Sequence, residues 1–416
     1  MILGVLSAHG IDLVWRALLL LALAGTFTST IYLALTLVAT ARYRRGAHAA
    51  QAAASATPAS MLRPVTILKP VHGAEEQLAA NLESFFQQDY PVYEVIFGVR
   101  DAGDPAALVA EQVRARYPQI PSRMIVSGLP AWPNAKVFSL DKMIAASSNE
   151  FFIISDSDVR VAPDFLRHTI PPLLESKAGL VTCMYRGVPA ADFWSRLEAL
   201  GLSVEMSSGV MVADMMEGMR FALGPAMAVR RDAIDAIGGI AAVADYYSDD
   251  FELGNRIWAK GFKVILSHHI VENVLTSRSP LRTLGDQLRW MKSTRYSRPA
   301  GHAGTGLTYA MPYGILGLIS GAALGQSGLG IGLFALAFLN RMIQSLVVGW
   351  AVPRDWRAVW GCWLYPARDL FGFVAWMLSY TSRKFYWRGE MYRFGRGGKI
   401  EALQRPTAGK KQSLSG

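Results

Sequence analysis

The chain has 416 residues, room for one large domain or two ordinary ones, and 51% of them are hydrophobic while only 18% are charged. Soluble domains carry about 25% charged residues, so this balance points to a membrane protein. The formal net charge of +10 would suit nucleic acid, anionic lipid or a phosphorylated substrate. With no Cys/His zinc spacing, and with basic residues gathered beside apolar segments, no nucleic acid partner is expected. Cys183 and Cys362 are too few and too far apart for a disulfide framework and fit a reducing compartment.

Residues 1–45 read as an N-terminal transmembrane anchor. Between Arg16 and Arg42 run 25 residues without a charge, ALLLLALAGTFTSTIYLALTLVATA. A spanning helix needs roughly 20, whereas the core of a cleaved signal peptide has about 7–15. Arg42, Arg44 and Arg45 follow at once, and the positive-inside rule keeps them cytoplasmic, with Met1 outside. Residues 46–60, GAHAAQAAASATPAS, read as a linker.

From residue 61 to 275 the chain alternates. Apolar runs at 65–69, 93–99, 123–127, 150–155 and 180–185 predict strands, and stretches at 75–88, 105–117, 136–146 and 163–175 predict helices between them. This alternation predicts an α/β domain, a parallel sheet with helices on both faces, facing the cytoplasm. Ligands of such sheets sit beyond the carboxyl ends of the strands. The fourth strand ends there in Asp156-Ser157-Asp158, within FFIISDSDVRV, and the second ends in Arg100-Asp101. In extended chain two carboxylates two positions apart point the same way, which is unfavourable unless water or a cation lies between them. Oxygen-only donors suit a divalent cation, Mg or Mn, shared with phosphates; a solvated acidic turn is the plainer alternative. A third acidic pair opens a helix in YYSDDFELGNRIWAKGF. Asp249 is expected to cap that helix, with Glu252 completing a capping box. Asp250 is left over, and the helix N-terminus would keep it ionised, as a general base requires.

Residues 276–304 predict an amphipathic helix in the membrane interface, with Leu281, Leu284, Leu288 and Met291 on one face and Arg282, Arg289, Lys292 and Arg295 on the others. Residues 305–382 hold two or three further transmembrane segments: 307–325, 329–352, and a third near 358–380 interrupted by Arg368-Asp369. Arg341 and Arg368-Asp369 would then be intramembrane charges, expected to snorkel or to pair with each other. Residues 383–416 form a basic tail with Arg383, Lys384, Arg388, Arg393 and Arg396. Three spans would leave it outside, against the charge rule; a re-entrant third segment would keep it inside.

Several stretches in this order carry a resemblance: VTILKPVHGAEEQLAANLESFFQQDYPVYEV, VRDAGDPA, WPNAKVFSL, SDSDVRV, GPAMAVRRDAIDAIGG, YYSDDFELGNRIWAKGF and LRW. Over roughly residues 60–300 the chain resembles the processive-type GT-A glycosyltransferases, and more narrowly the ceramide glucosyltransferase family with its bacterial relatives, including hopanoid-associated glycosyltransferases. The resemblance implies a GT-A (Rossmann-like) mixed, mainly parallel sheet flanked by transmembrane helices, in a bacterial inner membrane. It implies an inverting transfer of a hexose, glucose or N-acetylglucosamine, from a UDP-sugar to a lipid hydroxyl such as that of ceramide or a hopanoid. It also implies roles: Asp101 on the uracil ring, Asn134 and Lys136 beside the donor, Asp156 and Asp158 flanking the sugar-diphosphate with Asp158 the better metal ligand, Asp250 the base, and Arg289 with Trp290 closing over the diphosphate. One position departs: Asp286 stands where the family has Gln or Arg three residues before the Arg of R-W. A polysaccharide synthase of the same fold, and a catalytically silent scaffold, are the competing readings.

Overall fold

The computed structural model describes residues 8–277, 279–387 and 390–403. In chain order it opens with helix α1 (Ala8–Ala56), then β1 (Val65–Pro70), α2 (Leu78–Glu83), β2 (Tyr93–Val99), α3 (Pro105–Arg116), β3 (Ser122–Val126), α4 (Ala135–Ala145) and β4 (Phe151–Ser155). There follow β5 (Val159–Arg160), α5 (Phe165–Thr169), β6 (Ala178–Val188), α6 (Phe193–Leu200), α7 (Ser207–Glu217), β7 (Ala226–Arg230), α8 (Arg231–Ala236), α9 (Asp249–Ala259) and β8 (Lys263–Val274). The C-terminal part comprises α10 (Pro280–Ser297), α11 (Pro299–Thr305), α12 (Met311–Ala323), α13 (Ser327–Ala351), α14 (Trp356–Trp360), α15 (Tyr365–Leu378) and strands β9 (Lys384–Trp387), β10 (Glu390–Phe394) and β11 (Ile400–Ala402).

Among the described residues β1–β8 form one mixed sheet in the order β3-β2-β1-β4-β7-β6-β8-β5. Strands β1 to β4 are parallel, as βαβ crossovers require. β7 then inserts antiparallel between β4 and β6. The alternation pattern anticipated β6 but not β7, whose AMAVR run is too short to stand out by periodicity. β1, β2 and β4 are buried along almost their whole length, which is why they read as continuous apolar runs. Two cores result, one on each face: Leu68, Ile96, Phe152 and Met227 on one, Ile67, Phe97, Ile153 and Ala228 on the other. The odd–even split along each strand is the pleat at work.

Two boundaries depart from expectation. Residues 46–56, read as linker, continue α1, because a run rich in alanine is a strong helix former. Residues 384–387 and 390–402 of the expected tail form a small antiparallel sheet, β11-β10-β9, which docks beside the start of α9 through Tyr247 against Phe385, Trp387 and Phe394. Arg388, Met1 and the residues beyond 403 lie outside the described residues.

Among the described residues two helices are long and apolar enough to cross a membrane, Gly10–Ala54 and Ser327–Ala351, and Met311–Ala323 is a shorter apolar helix. Small residues let α12 and α13 approach backbone to backbone: a Cβ on Gly321 would lie 2.9 Å from Gly330 Cα. Such contacts hold helices together where burial of apolar surface from water gives no advantage. Gly321→Leu is therefore expected to cost about 1–3 kcal/mol through overpacking and to lower the detergent-solubilised protein's Tm; an unchanged Tm would refute this packing.

Two of the three expected intramembrane charges pair with each other, and the third finds partners outside the group. Arg341 reaches Asp369 at 3.1 Å, and the other Asp369 oxygen accepts the N–H groups of Ala310 and Met311 at 2.9 and 2.8 Å. Arg368 turns the opposite way, to Glu205 and Gln287, each at 2.9 Å. Neighbours on a helix diverge by about 100°, so a consecutive Arg-Asp cannot close on itself.

Candidate active site

The carboxyl ends of β1, β2 and β4 open into a cleft of about 1540 Å³. Its walls come from α4, the start of α9, α10 and the C-terminal sheet, so residues far apart in sequence share one volume. Lys136, Asp156, Asp158, Asp249, Asp250, Arg289 and Trp290 all line it.

The Asp156-Ser157-Asp158 segment leaves the sheet as a turn, since the β4 ladder stops at Ser155, so the extended-chain argument for its two acids does not apply. Asp156 is held by Lys136 at 2.7 Å. Asp158 has its Oδ1 buried without a hydrogen-bond partner. Burial, with the charge of Asp156 second, raises the Asp158 carboxyl from 3.8 to about 6. A sealed, unpartnered carboxylate oxygen beside a second carboxylate is what a divalent cation would satisfy, and the all-oxygen donor set fits Mg²⁺ or Mn²⁺.

Lys136 sits in the first turn of α4 and also reaches Asp249, at 3.5 Å. Burial opposes its charge, but Asp156, Asp249 and Asp250 outweigh that and raise its pKa. This ammonium is the electrostatic centre of the acidic end of the cleft. Asn134 does not reach the cleft. It is wholly buried, N-caps α4 by accepting from the N–H groups of Lys136 and Val137, and donates to Tyr246 O at 2.9 Å and Asp249 Oδ1 at 3.2 Å. Its place is one of positioning.

Helix α9 begins differently from the expected capping box. Ser248 is the N-cap residue, its hydroxyl pairs with that of Ser293, and Glu252 binds Arg256 at 2.7 Å. Asp249 is thereby released to Lys136 and Asn134. Asp250 is raised from 3.8 to about 6, by burial first and then by the charge of Asp249, with Lys136 acting the other way. Gly224, just before β7, separates the two acidic groups: a Cβ there would lie 3.0 Å from Asp250 Oδ2 and 3.7 Å from Asp156 Oδ2. Nothing in the sequence patterning marked Gly224, since its use is a close approach across the sheet.

A second residue beyond sequence reasoning is Lys69, the last charged position of β1. It is fully buried, donates to the Asp156 carbonyl and to Ser155 Oγ, and rests 3.9 Å from the Phe85 ring centroid. Desolvation lowers its pKa to about 7 against the pull of Asp156 and Asp158. A lysine closing an otherwise apolar strand was the available signal.

Asp101 stands outside the cleft lining. It is exposed at the end of β2 and accepts from the Gly103 N–H at 2.8 Å, while its neighbour Arg100 lines the cleft with Gly128 and Trp132. At the opposite wall Arg289 pairs with Asp286 at 3.0 Å, its Nε buried without a hydrogen-bond partner. The residue that departs from the family motif thus pins the arginine. Helix α10 buries Thr283, Gln287, Lys292 and Ser293 and leaves Leu281 80% exposed, whereas Leu284, Leu288 and Met291 of the expected apolar face are partly covered and Met291 lines the cleft. Lys292 and Arg295 are not loose surface cations: Lys292 donates to the carbonyl of Lys384 in β9 at 2.8 Å, and Arg295 to that of Ser379 at the end of α15 at 2.9 Å.

The profile of glycosyl transferase family 21 matches residues 21–400. The chain belongs to glycosyl transferase family 21. Family 21 membership covers both the sheet and the helices around it. Similar proteins include ceramide glucosyltransferase 1 of Caenorhabditis elegans, 24% identical over 236 residues, 56% of this chain and 50% of the relative. Ceramide glucosyltransferase of Komagataella phaffii is 35% identical over 116 residues, 27% of this chain and 23% of the relative. The family 21 chain spans about half the length of the Caenorhabditis relatives it matches. Among solved structures, a mannosyltransferase of Pyrobaculum calidifontis in complex with GDP-Man and Mn²⁺ covers 86% of this chain and 99% of its own, with 15% identity and a TM-score of 0.49.

A stretch outside the cleft also gathers ligand-type side chains. A two-residue irregularity between Ser267 and Ile270 in β8 accommodates His268 and His269. Asp164, His168 and His269 bring their ligand atoms within 4.8 Å of one another. None of the three lines the cleft.

Proposed function

We propose that this chain transfers a hexose, glucose or N-acetylglucosamine, from a UDP-sugar to the hydroxyl of a membrane lipid such as ceramide or a hopanoid, with inversion. The observation that carries the reading is the meeting of Asp156, Asp158, Lys136, Asp250 and Arg289 on one cleft beside helices of membrane length. The nucleotide would lie at the end lined by Arg100, Gly128 and Trp132, with Asp101 at its mouth to take the uracil N–H. The sugar-diphosphate would lie by Lys136, Asp156 and Asp158, with Arg289 and Trp290 over it.

The acceptor hydroxyl oxygen attacks the anomeric carbon and forms the new C–O bond. The bond from that carbon to the phosphate oxygen breaks, and UDP leaves with the electron pair. Asp250 takes the hydroxyl proton. Lys136 and Arg289 stabilise the charge growing on the diphosphate, and Asn134 and Asp286 fix where those cations stand. Asp156 and Asp158 would hold a divalent cation, which supplies further stabilisation of the leaving diphosphate when bound. The membrane-length helices α1 and α13 support a membrane location, with the catalytic part on the cytoplasmic face beside Arg42, Arg44 and Arg45.

The deciding experiment is incubation of the purified chain with labelled UDP-glucose and UDP-N-acetylglucosamine, Mn²⁺ and lipid acceptors, followed by mass spectrometry of the lipid extract. A single glycolipid is expected. A product ladder would favour a polysaccharide synthase, and no transfer from either donor would remove the reading. The acid limb offers a second check. Because Asp250 must be ionised to act and is raised to about 6, kcat/KM is expected to fall as pH drops through about 6. A limb at the ordinary carboxylate value, about 4, would show that another group is the base.

A further inference from the structure

Where α5 packs against β8, three side chains that the cleft does not use converge. Asp164 and His168 stand four positions apart at the start and in the body of α5, so both face the same way. His168 Nε2 lies 3.2 Å from Asp164 Oδ2, and His269 Nδ1 lies 3.9 Å from Asp164 Oδ1. The carboxylate is thus set between two imidazoles whose ring centroids are 5.1 Å apart. A regular strand has no place for His269: it and His268 are inserted in β8 between the pairs Cys183–Ser267 and Met184–Ile270. Such irregularities re-aim a side chain. Here the Ser267 hydroxyl helps to fix the backbone by accepting the His269 N–H at 3.1 Å.

The contact between His168 and Asp164 serves only part of this group. The His269 side chain is 9% exposed. Its Nε2 is buried with no hydrogen-bond partner among the described residues, and its Nδ1 stands beyond hydrogen-bond length of Asp164. A buried imidazole left unserved is costly, and such groups are normally satisfied. Asp164 occupies the N-cap position of α5 yet caps no backbone N–H with its side chain, so both oxygens remain for the rings. Ligand atoms around a tetrahedral Zn²⁺ lie about 3.3 Å apart, given bonds of about 2.0–2.1 Å. The separations of 3.2 and 3.9 Å, within a group spanning at most 4.8 Å, are near that spacing. Two imidazoles with one carboxylate suit Zn²⁺ and its neighbours, whereas the oxygen-only pair Asp156 and Asp158 suits Mg²⁺ or Mn²⁺. Asp164 is half exposed, which opens the fourth position to water.

We infer that Asp164, His168 and His269 form a second metal site, which holds a transition-metal ion of the Zn²⁺ class through the Asp164 carboxylate and one nitrogen of each imidazole. Its role is structural, since none of the three residues lines the cleft. The ion joins α5 to the β8 irregularity, two elements far apart in sequence. The same irregularity seats helix α1. Tyr43 donates from its hydroxyl to the Ser267 carbonyl at 2.9 Å, and its ring centroid lies 4.5 Å from that of His268. Gly46 passes so close that a Cβ there would lie 2.6 Å from His268 Nε2. Locking His269 therefore also fixes its neighbour, on which the C-terminal half of α1 rests. The site stands independently of the glycosyl-transfer reading.

The test uses the full chain in detergent micelles, stripped with a chelator and then held in excess Mg²⁺ so that the cleft carboxylates are served. Zn²⁺ is titrated in by calorimetry, and bound metal is counted by mass spectrometry after desalting. The wild type and Asp158→Asn are each expected to bind one Zn²⁺ per chain and to gain Tm in excess Zn²⁺. His168→Asn and His269→Asn are expected to weaken that binding by about 100-fold or more, beyond what loss of an outer partner gives, and to lose the Tm gain. Asp164→Asn is expected to weaken it by about tenfold or more. Where a buried histidine variant fails to fold, Asp164→Asn carries the result alone, since its half-exposed side chain leaves the packing of α5 unchanged. No Zn²⁺ bound by the wild type, binding lost in Asp158→Asn but kept in Asp164→Asn, or an unchanged Kd in Asp164→Asn overturns the site.

Discussion

Asp250→Asn is expected to lower kcat by about 10²–10⁴-fold, the range for loss of a general base, while leaving UDP affinity within a few-fold. Asn has almost the same shape, so the start of α9 keeps its backbone, where Ser248 rather than Asp250 is the N-cap residue. Lys136 keeps its nearer partners, Asp156 at 2.7 Å and Asp249 at 3.5 Å, and the nucleotide end of the cleft is untouched. What is lost is the carboxylate proposed to take the acceptor's proton, whose Oδ2 lies beside Gly224. Asp249→Asn is the informative companion. It removes the charge that, after burial, does most to raise Asp250, so the acid limb of the pH profile should move down while the rate at neutral pH falls less than in Asp250→Asn. Steady-state rates with isothermal titration of UDP decide it. Full turnover in Asp250→Asn would end its assignment as base.

Asp369→Ala should be the most destabilising single change in the helical part. Arg341 and Asp369 are each 3% exposed at the side chain and pair at 3.1 Å. Removing one partner of a buried pair leaves an uncompensated charge and typically costs about 3–5 kcal/mol. Two backbone N–H groups at the start of α12, those of Ala310 and Met311, lose their acceptor as well. The double variant Arg341→Leu/Asp369→Leu is expected to recover much of the loss, since an apolar pair of similar volume avoids the buried charge, though the α12 cap stays lost. Thermal unfolding in detergent reads both. A double variant less stable than Asp369→Ala would show that the pair is worth more than the desolvation it costs.

Much of the scaffold was legible because burial on both faces of β1, β2 and β4 leaves unbroken apolar runs, and because the crossovers between parallel strands need about a dozen or more residues. Asp156, Asp158, Asp250, Lys136, Arg289 and Trp290 could be nominated for the same reason: acids and cations at strand ends and helix starts are unusual in an apolar chain. What each does locally was less legible. Asn134 was expected beside the donor and instead braces Asp249. Asp249 was expected as a cap and instead holds Lys136, because Ser248 occupies the N-cap position. Lys69 and Gly224 were missed, since a buried lysine under a turn and a glycine between two carboxylates acquire meaning only from groups distant in sequence. The basic tail concealed a sheet whose aromatic residues alternate with charges over only four or five positions.

The order of strands and helices, the apolar helices and the strand ends that carry acids were determined by sequence, because periodicity and burial act over neighbouring residues. The insertion of β7 between β4 and β6, the partners of Arg341 and Arg368, and the closing of the cleft by α10 and the C-terminal sheet were decided by tertiary structure. Side chains separated by tens to hundreds of positions choose partners by the geometry in which helices and strands pack, and that geometry has no signature in any single stretch of chain.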